Sequence, residues 1–200
     1  HKHRLQSELE EDEAISLAKR LNINYEVMHL VEDHSKNFHA DAHNKRYDFF
    51  MQVAKKYNAN YIATAHHLND NAETILLNLI RGSNLYGYGG INITQKRNNI
   101  TIVRPLMCVT KKEIKAYQEV NNLTYYEDSS NSEDEFRRNR IRHHILPLLE
   151  NENPNILKEL NNYSKMMHEA FSFIRNMSIT YLNEHNNIID VESFKILDNA

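Results

Sequence analysis

The 200-residue chain has very little of what defines several common protein classes. Its one cysteine, Cys108, excludes an internal disulfide framework and a cysteine-only metal site, and it suits a reducing compartment. No apolar run approaches the roughly 20 residues needed to cross a bilayer. The opening HKHRLQSELEEDE is charged throughout and does not read as a secretory leader. Net charge is also scarce. At −3 the chain has no global attraction for nucleic acid or a membrane surface, so contact with a polyanion requires a local basic patch. HExxH, C-x-x-C and G-x-S-x-G are absent, which removes common metalloprotease, thiol and serine-nucleophile arrangements. Twelve histidines do not restore a metal reading. The two partners of a His-His pair point to opposite sides of a strand, or about 100° apart on a helix.

What is present is ordinary for a folded protein: 40% hydrophobic and 26% charged residues. The length suits one substantial domain, or one and part of another. With no initiator methionine, the chain is expected to be cut at both ends. SELEEDEAISLAKRL, from Ser7, has helical apolar spacing, with acids early and Lys19 and Arg20 late. NYEVMHL, residues 24–30, reads as a strand, and VEDHSKNF as a polar loop. Residues 40–57 read as a helix burying Tyr47, Phe50, Val53, Ala54 and Tyr57. YIATAHH reads as a strand from Tyr61 buried on both faces. Helices and strands alternating in this way predict an α/β fold with a parallel sheet.

Three of the four glycines fall in SNLYGYGGI, which predicts a tightly turned or functional loop. INITQKRNNITIVRPL reads as two strands turned at KRNN. Thr110 to Glu113 is a capping box opening a helix. FRRNRIRHHILPLLENENP reads as a basic, then apolar helix broken near Pro147 and Pro154, followed by one or two long helices. The change to helical pattern places a domain boundary near residue 150.

Two constellations carry chemistry. In TAHHLNDNAETILLNLIRG, His66 and His67 end the strand, and Asp70 and Glu73 open the next helix. D-x-x-E is itself a capping box. Alternatively, two carboxylates on one helical face at the carboxyl end of a strand could hold Mg²⁺ or a cationic amine. In the second, Arg137, Arg138, Arg140 and Arg142 with His143 and His144 form a dense positive patch suited to phosphate oxygens. A solvated charged face is its plain alternative. Arg46, ahead of an apolar helical face, is by spacing alone a surface residue.

Five ordered blocks together resemble the tRNA(Ile)-lysidine synthetase family of PP-loop (N-type) ATP pyrophosphatases. KHRLQ resembles N-H-x-L-R, and AHNKRYDFF resembles A-R-x-x-R-Y-x-F. TAHHLNDNAETILLNLIRGS resembles A-H-H-x-D-D-Q-A-E-T-x-L-x-x-L-x-R-G-S. VRPLMCVTKKEIKAY resembles I-R-P-L-L-x-V-x-R-x-E-I, and EDSSNSEDEFRRNRIRHHILPLL resembles E-D-x-S-N followed by R-N-x-I-R and L-P-x-L.

The resemblance implies an adenine-nucleotide alpha-hydrolase-like (Rossmann-like) α/β domain over residues 1–149. A helical, tRNA-contacting domain then begins over 150–200. It implies ligation of free L-lysine to carbon 2 of the wobble cytidine of tRNA(Ile) with a CAU anticodon, through an adenylated base. ATP and Mg²⁺ would be the cofactors and the cytoplasm the location, with no membrane contact and a homodimer left open. Asp70 and Glu73 would bind the lysine amine or Mg²⁺; Arg46 and His66 the nucleotide or activated base; and Arg138 phosphate charge. Gln6 stands where the family has arginine, and Asn69 where it has the first acid of D-D. The family's S-G-G-x-D-S loop would precede His1, so the 200 residues alone are not expected to turn over ATP. Two readings stand beside this one: a tRNA thiolation enzyme of the same group, and a non-catalytic RNA-binding fragment.

Overall fold

The computed structural model describes residues 2–29, 38–125, 134 and 136–189, and the side chains of all but 2–7 and 38–41 of these. Of the expected loop at 31–38, residues 31–37 lie outside the described residues and Phe38 opens a helix; the E-D-x-S-N match at 127–131 and the last residues of the chain also lie outside them.

Two helices, α1 (Lys2–Arg20) and α2 (Phe38–Lys56), precede the short strand β1 (Tyr61–Ala63). Helix α3 (Leu68–Arg81) and the turn α4 (Leu85–Tyr88) lead to the hairpin β2 (Thr94–Arg97) and β3 (Ile100–Val103). A 3-10 turn, Pro105–Cys108, is followed by α5 (Lys111–Val120). The last part is helical: α6 (Arg137–Arg140), a π turn (Ile141–Ile145), α7 (Leu146–Glu152) and the long α8 (Ile156–Glu184).

The sheet has the order β1-β3-β2. β1 runs parallel to β3, with Ile62 opposite Ile102, and β2 runs antiparallel to it. The turn of the hairpin falls at Asn98, whose φ of 55° asparagine tolerates better than most residues. So the sheet is mixed, its parallel pair joined by the α3 crossover and its outer strand added by the hairpin. β1 is an edge, and Tyr61 and Ala63 are exposed, against the expectation of a strand buried on both faces. The predicted strand at 24–30 takes no regular form over its described residues 24–29 and pairs with no strand among the described residues. An extended segment becomes a strand only when a neighbour takes its backbone groups. It is instead held by side chains: Lys56 and the Tyr57 hydroxyl both donate to Glu26 Oε1, at 2.5 and 2.7 Å. That contact takes Tyr57 off the buried stripe of α2, whose Tyr47 and Ala54 are buried as expected.

Helix α3 is the centre of the packing. Leu68, Ala72 and Ile75 recur at helical spacing and are buried. Ala72 joins Ile141, Leu146 and Leu157 in one core cluster, so α7 and α8 close over α3. Pro147 does not break the chain there. Its ring lacks an N–H and crowds the preceding turn, and the helix absorbs this as the π turn just ahead of it. The helical run ends at Glu152, just ahead of Pro154, and α8 is one continuous helix.

Candidate active site

Residues 64–67 carry the chain from β1 into α3. The Thr64 N–H donates to the Val103 carbonyl, prolonging the parallel ladder, and the Leu68 N–H donates to the Val109 carbonyl. Both are 3.0 Å long, and together they fix the start of α3 beside the carboxyl end of β3. His67 is the N-cap: its Nδ1 accepts from the Asp70 N–H at 3.4 Å, and its own N–H donates to Asp70 Oδ2 at 3.0 Å. The capping box is therefore His67 with Asp70, one turn earlier than D-x-x-E suggests. Glu73 stitches no backbone amide; it lies a turn deeper.

The Glu73 side chain is 0% exposed, a costly position for a carboxylate without cationic partners. Two guanidinium groups supply them. Arg142 donates from Nε to Oε1 at 2.7 Å and from Nη2 to Oε2 at 3.0 Å, a two-point fork. Arg138 donates from Nε to Oε2 at 2.7 Å, and its Nη2 reaches both Asp70 Oδ1 and the Asp70 carbonyl at 3.3 Å. Exposure rises outward, from Glu73 to Arg142 at 25% and Arg138 at 41%. The cluster thus shows Arg138 to solvent and keeps Glu73 inside. Glu73 also holds the Arg142 guanidinium more firmly charged.

His66 and His67 flank this cluster. Burial lowers both imidazole pKa values, opposed by the Asp70 carboxylate; Arg104 and Arg138 lower that of His66 further. His66 Nδ1 pairs with Thr64 Oγ1 at 2.9 Å. Asn69 turns away from the cluster: its Oδ1 accepts from the Lys111 N–H at 2.9 Å, capping α5. That gives the departure from D-D a structural role.

Of the expected site residues, the structure brings Asp70, Glu73 and Arg138 into direct contact and places His66 within their electrostatic reach. Arg46 is exposed on α2, which packs beside β1, and it makes no described bond to the other four. Nor do the donors form a Mg²⁺ cage. Both Glu73 oxygens accept from arginines, Asp70 is shared between His67 and Arg138, and no metal-holding group of three or more His, Cys, Asp or Glu occurs among the described residues.

Sequence reading assigned no role to several buried polar residues around the cluster. Asn71 accepts from the Ile91 N–H and donates to Asn161 of α8. Asn78 donates to the Gly87 carbonyl. Both occupy the apolar phase of α3, and that misplaced polarity was the available clue. Gly90, at φ 70°, lies against Asn71 and Ile75, where a side chain has no room. Arg104 is buried at the end of β3, donating to the Asn92 carbonyl and to Gln95, while its Nε has no partner among the described residues. It lines a cavity of about 190 Å³ with Met107, Cys108, Asn161 and Lys165.

A family model described as a PP-loop domain matches residues 1–149. A tRNA(Ile)-lysidine synthase of Geobacillus kaustophilus is 40% identical over 139 residues, covering 70% of this chain and 30% of that protein. The Francisella philomiragia tRNA(Ile)-lysidine synthase is 32% identical over 179 residues, covering 87% of this chain and 44% of the relative. The chain thus spans less than half the length of these curated relatives. A solved U34-tRNA thiolase from Methanococcus maripaludis, with its 4Fe-4S cluster, superposes with a TM-score of 0.67 at 18% identity. It covers 80% of this chain and 56% of that one, a likeness of fold. With the α/β layer and the acid–arginine cluster at the end of β1, the match over residues 1–149 means that this chain belongs to the PP-loop family.

Proposed function

We propose that this chain carries the catalytic region of an ATP-dependent ligase, which joins free L-lysine to carbon 2 of the wobble cytidine in tRNA(Ile) with a CAU anticodon. One observation supports the reading most: Asp70 and Glu73 meet Arg138, 68 and 65 residues further along the chain, beyond the carboxyl end of β1, the side on which open parallel sheets bind ligands. The names of the relatives point to the same substrate.

The chemistry has two steps. The carbonyl oxygen on carbon 2 of the base attacks the α-phosphorus of ATP, and pyrophosphate leaves. The lysine amine then adds at carbon 2, its proton passes to a base, the C–O bond breaks and AMP departs with the oxygen. Asp70 is the carboxylate that orients and deprotonates the incoming ammonium. Arg138, exposed beside it, offsets charge on the departing phosphate. His66 and Arg46 bear on the nucleotide or the activated base. The described donors around Asp70 and Glu73 do not fit a protein-held Mg²⁺, so none of these steps is assigned to it. The helical segment from residue 150 onward contacts tRNA, and the reaction belongs to the cytoplasm; among the described residues no helix is long and apolar enough to cross a membrane.

A thiolation enzyme is the second reading, suggested by the structural neighbour. An iron–sulfur cluster needs several thiolates, and these 200 residues hold only Cys108. A non-catalytic RNA-binding role predicts steeply salt-dependent tRNA binding without ATP binding. The deciding experiment restores the glycine-rich loop ahead of His1 and supplies ATP, labelled lysine and tRNA(Ile). Label entering the tRNA supports the ligase, and Glu73→Ala should abolish it. Absence of label with the unsubstituted protein would refute the proposal.

A further inference from the structure

We infer that Arg142 is a positioning residue: it acts through Glu73 to hold the Arg138 guanidinium against Asp70. The inference rests on the lysine-ligase reading for its activity readout, but on geometry for its substance.

Glu73 is enclosed, so its charge must be met by whatever cations are nearest. Arg142 meets it with the only two-point fork the structure describes at this carboxylate, occupying Oε1 and sharing Oε2. Arg138 therefore spends one N–H, its Nε, on Glu73 and keeps Nη2 for Asp70. The two Asp70 contacts, at 3.3 Å, are long beside the 2.7 Å bonds to Glu73. They are the ones that yield if Glu73 demands more of Arg138. With Arg142 gone, the buried carboxylate has one cation left, and the fork re-forms with Arg138 at the expense of Asp70.

The chain is built for this double contact. Arg138 and Arg142 are four residues apart, the spacing that puts two side chains on one helical face. Arg142 lies inside the π turn, which Pro147 imposes two residues beyond its end. The wider turn sets the second guanidinium beside the first on the same carboxylate, and such turns often mark functional sites. Charge density does not distinguish Arg142 from Arg137 or Arg140; the R-N-x-I-R match falls on Arg138 and Arg142, and the fork on Glu73 gives Arg142 its part.

The test is a double-mutant cycle in the loop-restored protein, with R142K, E73Q and the pair, read by lysine incorporation and by melting temperature. R142K keeps the charge and loses the fork. Misplacing Arg138 by about 1 Å should cut kcat about 100-fold, with the KM for ATP unchanged, since Arg142 is turned inward onto the buried Glu73. E73Q/R142K should be no slower than E73Q alone, because the inferred route from Arg142 to Arg138 runs through the carboxylate. Additive losses, or R142K at full rate, overturn the inference.

A second measurement needs no turnover. The Arg138 Nε–H resonance should move in R142K by ¹⁵N NMR as its bonding to Glu73 changes, and an unmoved resonance overturns the inference too. If R142K does not fold, the same resonance in R142Q and E73Q decides. If the unsubstituted protein incorporates no lysine, the ligase reading fails, and the resonance still judges the positioning role.

Discussion

Glu73 and His67 sit one turn and a half apart on α3, and each owes its state to its surroundings. Glu73 is a buried anion made tolerable by two arginines. Glu73→Gln keeps the shape, removes the charge and leaves Arg142 facing a neutral amide. Breaking a buried ion pair costs about 3–5 kcal/mol; the exposure of Arg138 puts the expected loss at the lower end, about 3 kcal/mol, read as a drop in urea midpoint. His67 gives the fold a pH dependence. Burial depresses its folded-state pKa below the ordinary 6.5, so the neutral cap stabilises the protein fully above that pH. The contribution is lost as pH falls through the lower folded value. His67→Asn retains a good N-cap that does not titrate. Melting temperature measured from pH 7.5 to 5 should therefore fall less steeply in His67→Asn than in the unsubstituted protein. Equal slopes would remove His67 from the pH dependence.

At the scale of elements, local chemistry was readable wherever it is local. The Thr110–Glu113 box forms as the sequence predicts: Thr110 Oγ1 accepts from the Glu113 N–H, and Glu113 accepts from the Thr110 N–H at 2.7 Å. Thr110→Ala should cost about 1 kcal/mol by thermal unfolding. The KRNN turn and the Leu68, Ala72, Ile75 stripe were equally plain. What was not plain depended on partners distant in sequence. The strand expected at 24–30 needs a neighbour that the described residues do not supply. The D-x-x-E pattern gave no warning that histidine would cap α3 and leave Glu73 to the arginines. Asp70 and Arg138 were set in one expected site only by the order of the motif blocks, and no spacing announced their contact, because 68 residues separate them. Arg142 was given no role beyond its place in the basic patch and the R-N-x-I-R match, since the π turn that aims it cannot be read from spacing.

Over the whole molecule, α8 is the element that turns a sheet with flanking helices into one packed unit. It lays Leu157 against Ala72, Ile141 and Leu146, Asn161 against Asn71, and Ser164 Oγ against the Gly89 carbonyl. The glycine loop, the α3 cluster and the last helix are thus tied together. The sequence pattern put a change to helical structure near residue 150, and the helical run begins at Arg137; the way these helices close over α3 was not legible, because it depends on contacts 70 to 90 residues apart. Leu157→Ala should destabilise by about 2–5 kcal/mol and shift one cooperative transition. A second, separate transition would show that α8 folds independently of α3.

The account stands on Asp70 as the carboxylate that meets the incoming amine beside Arg138. Its most direct test compares Asp70→Asn with the unsubstituted, loop-restored protein, following labelled lysine into tRNA(Ile) at matched melting temperature. Removing a positioned base should slow incorporation by about 10²- to 10⁴-fold. Incorporation by Asp70→Asn at the unsubstituted rate would contradict it.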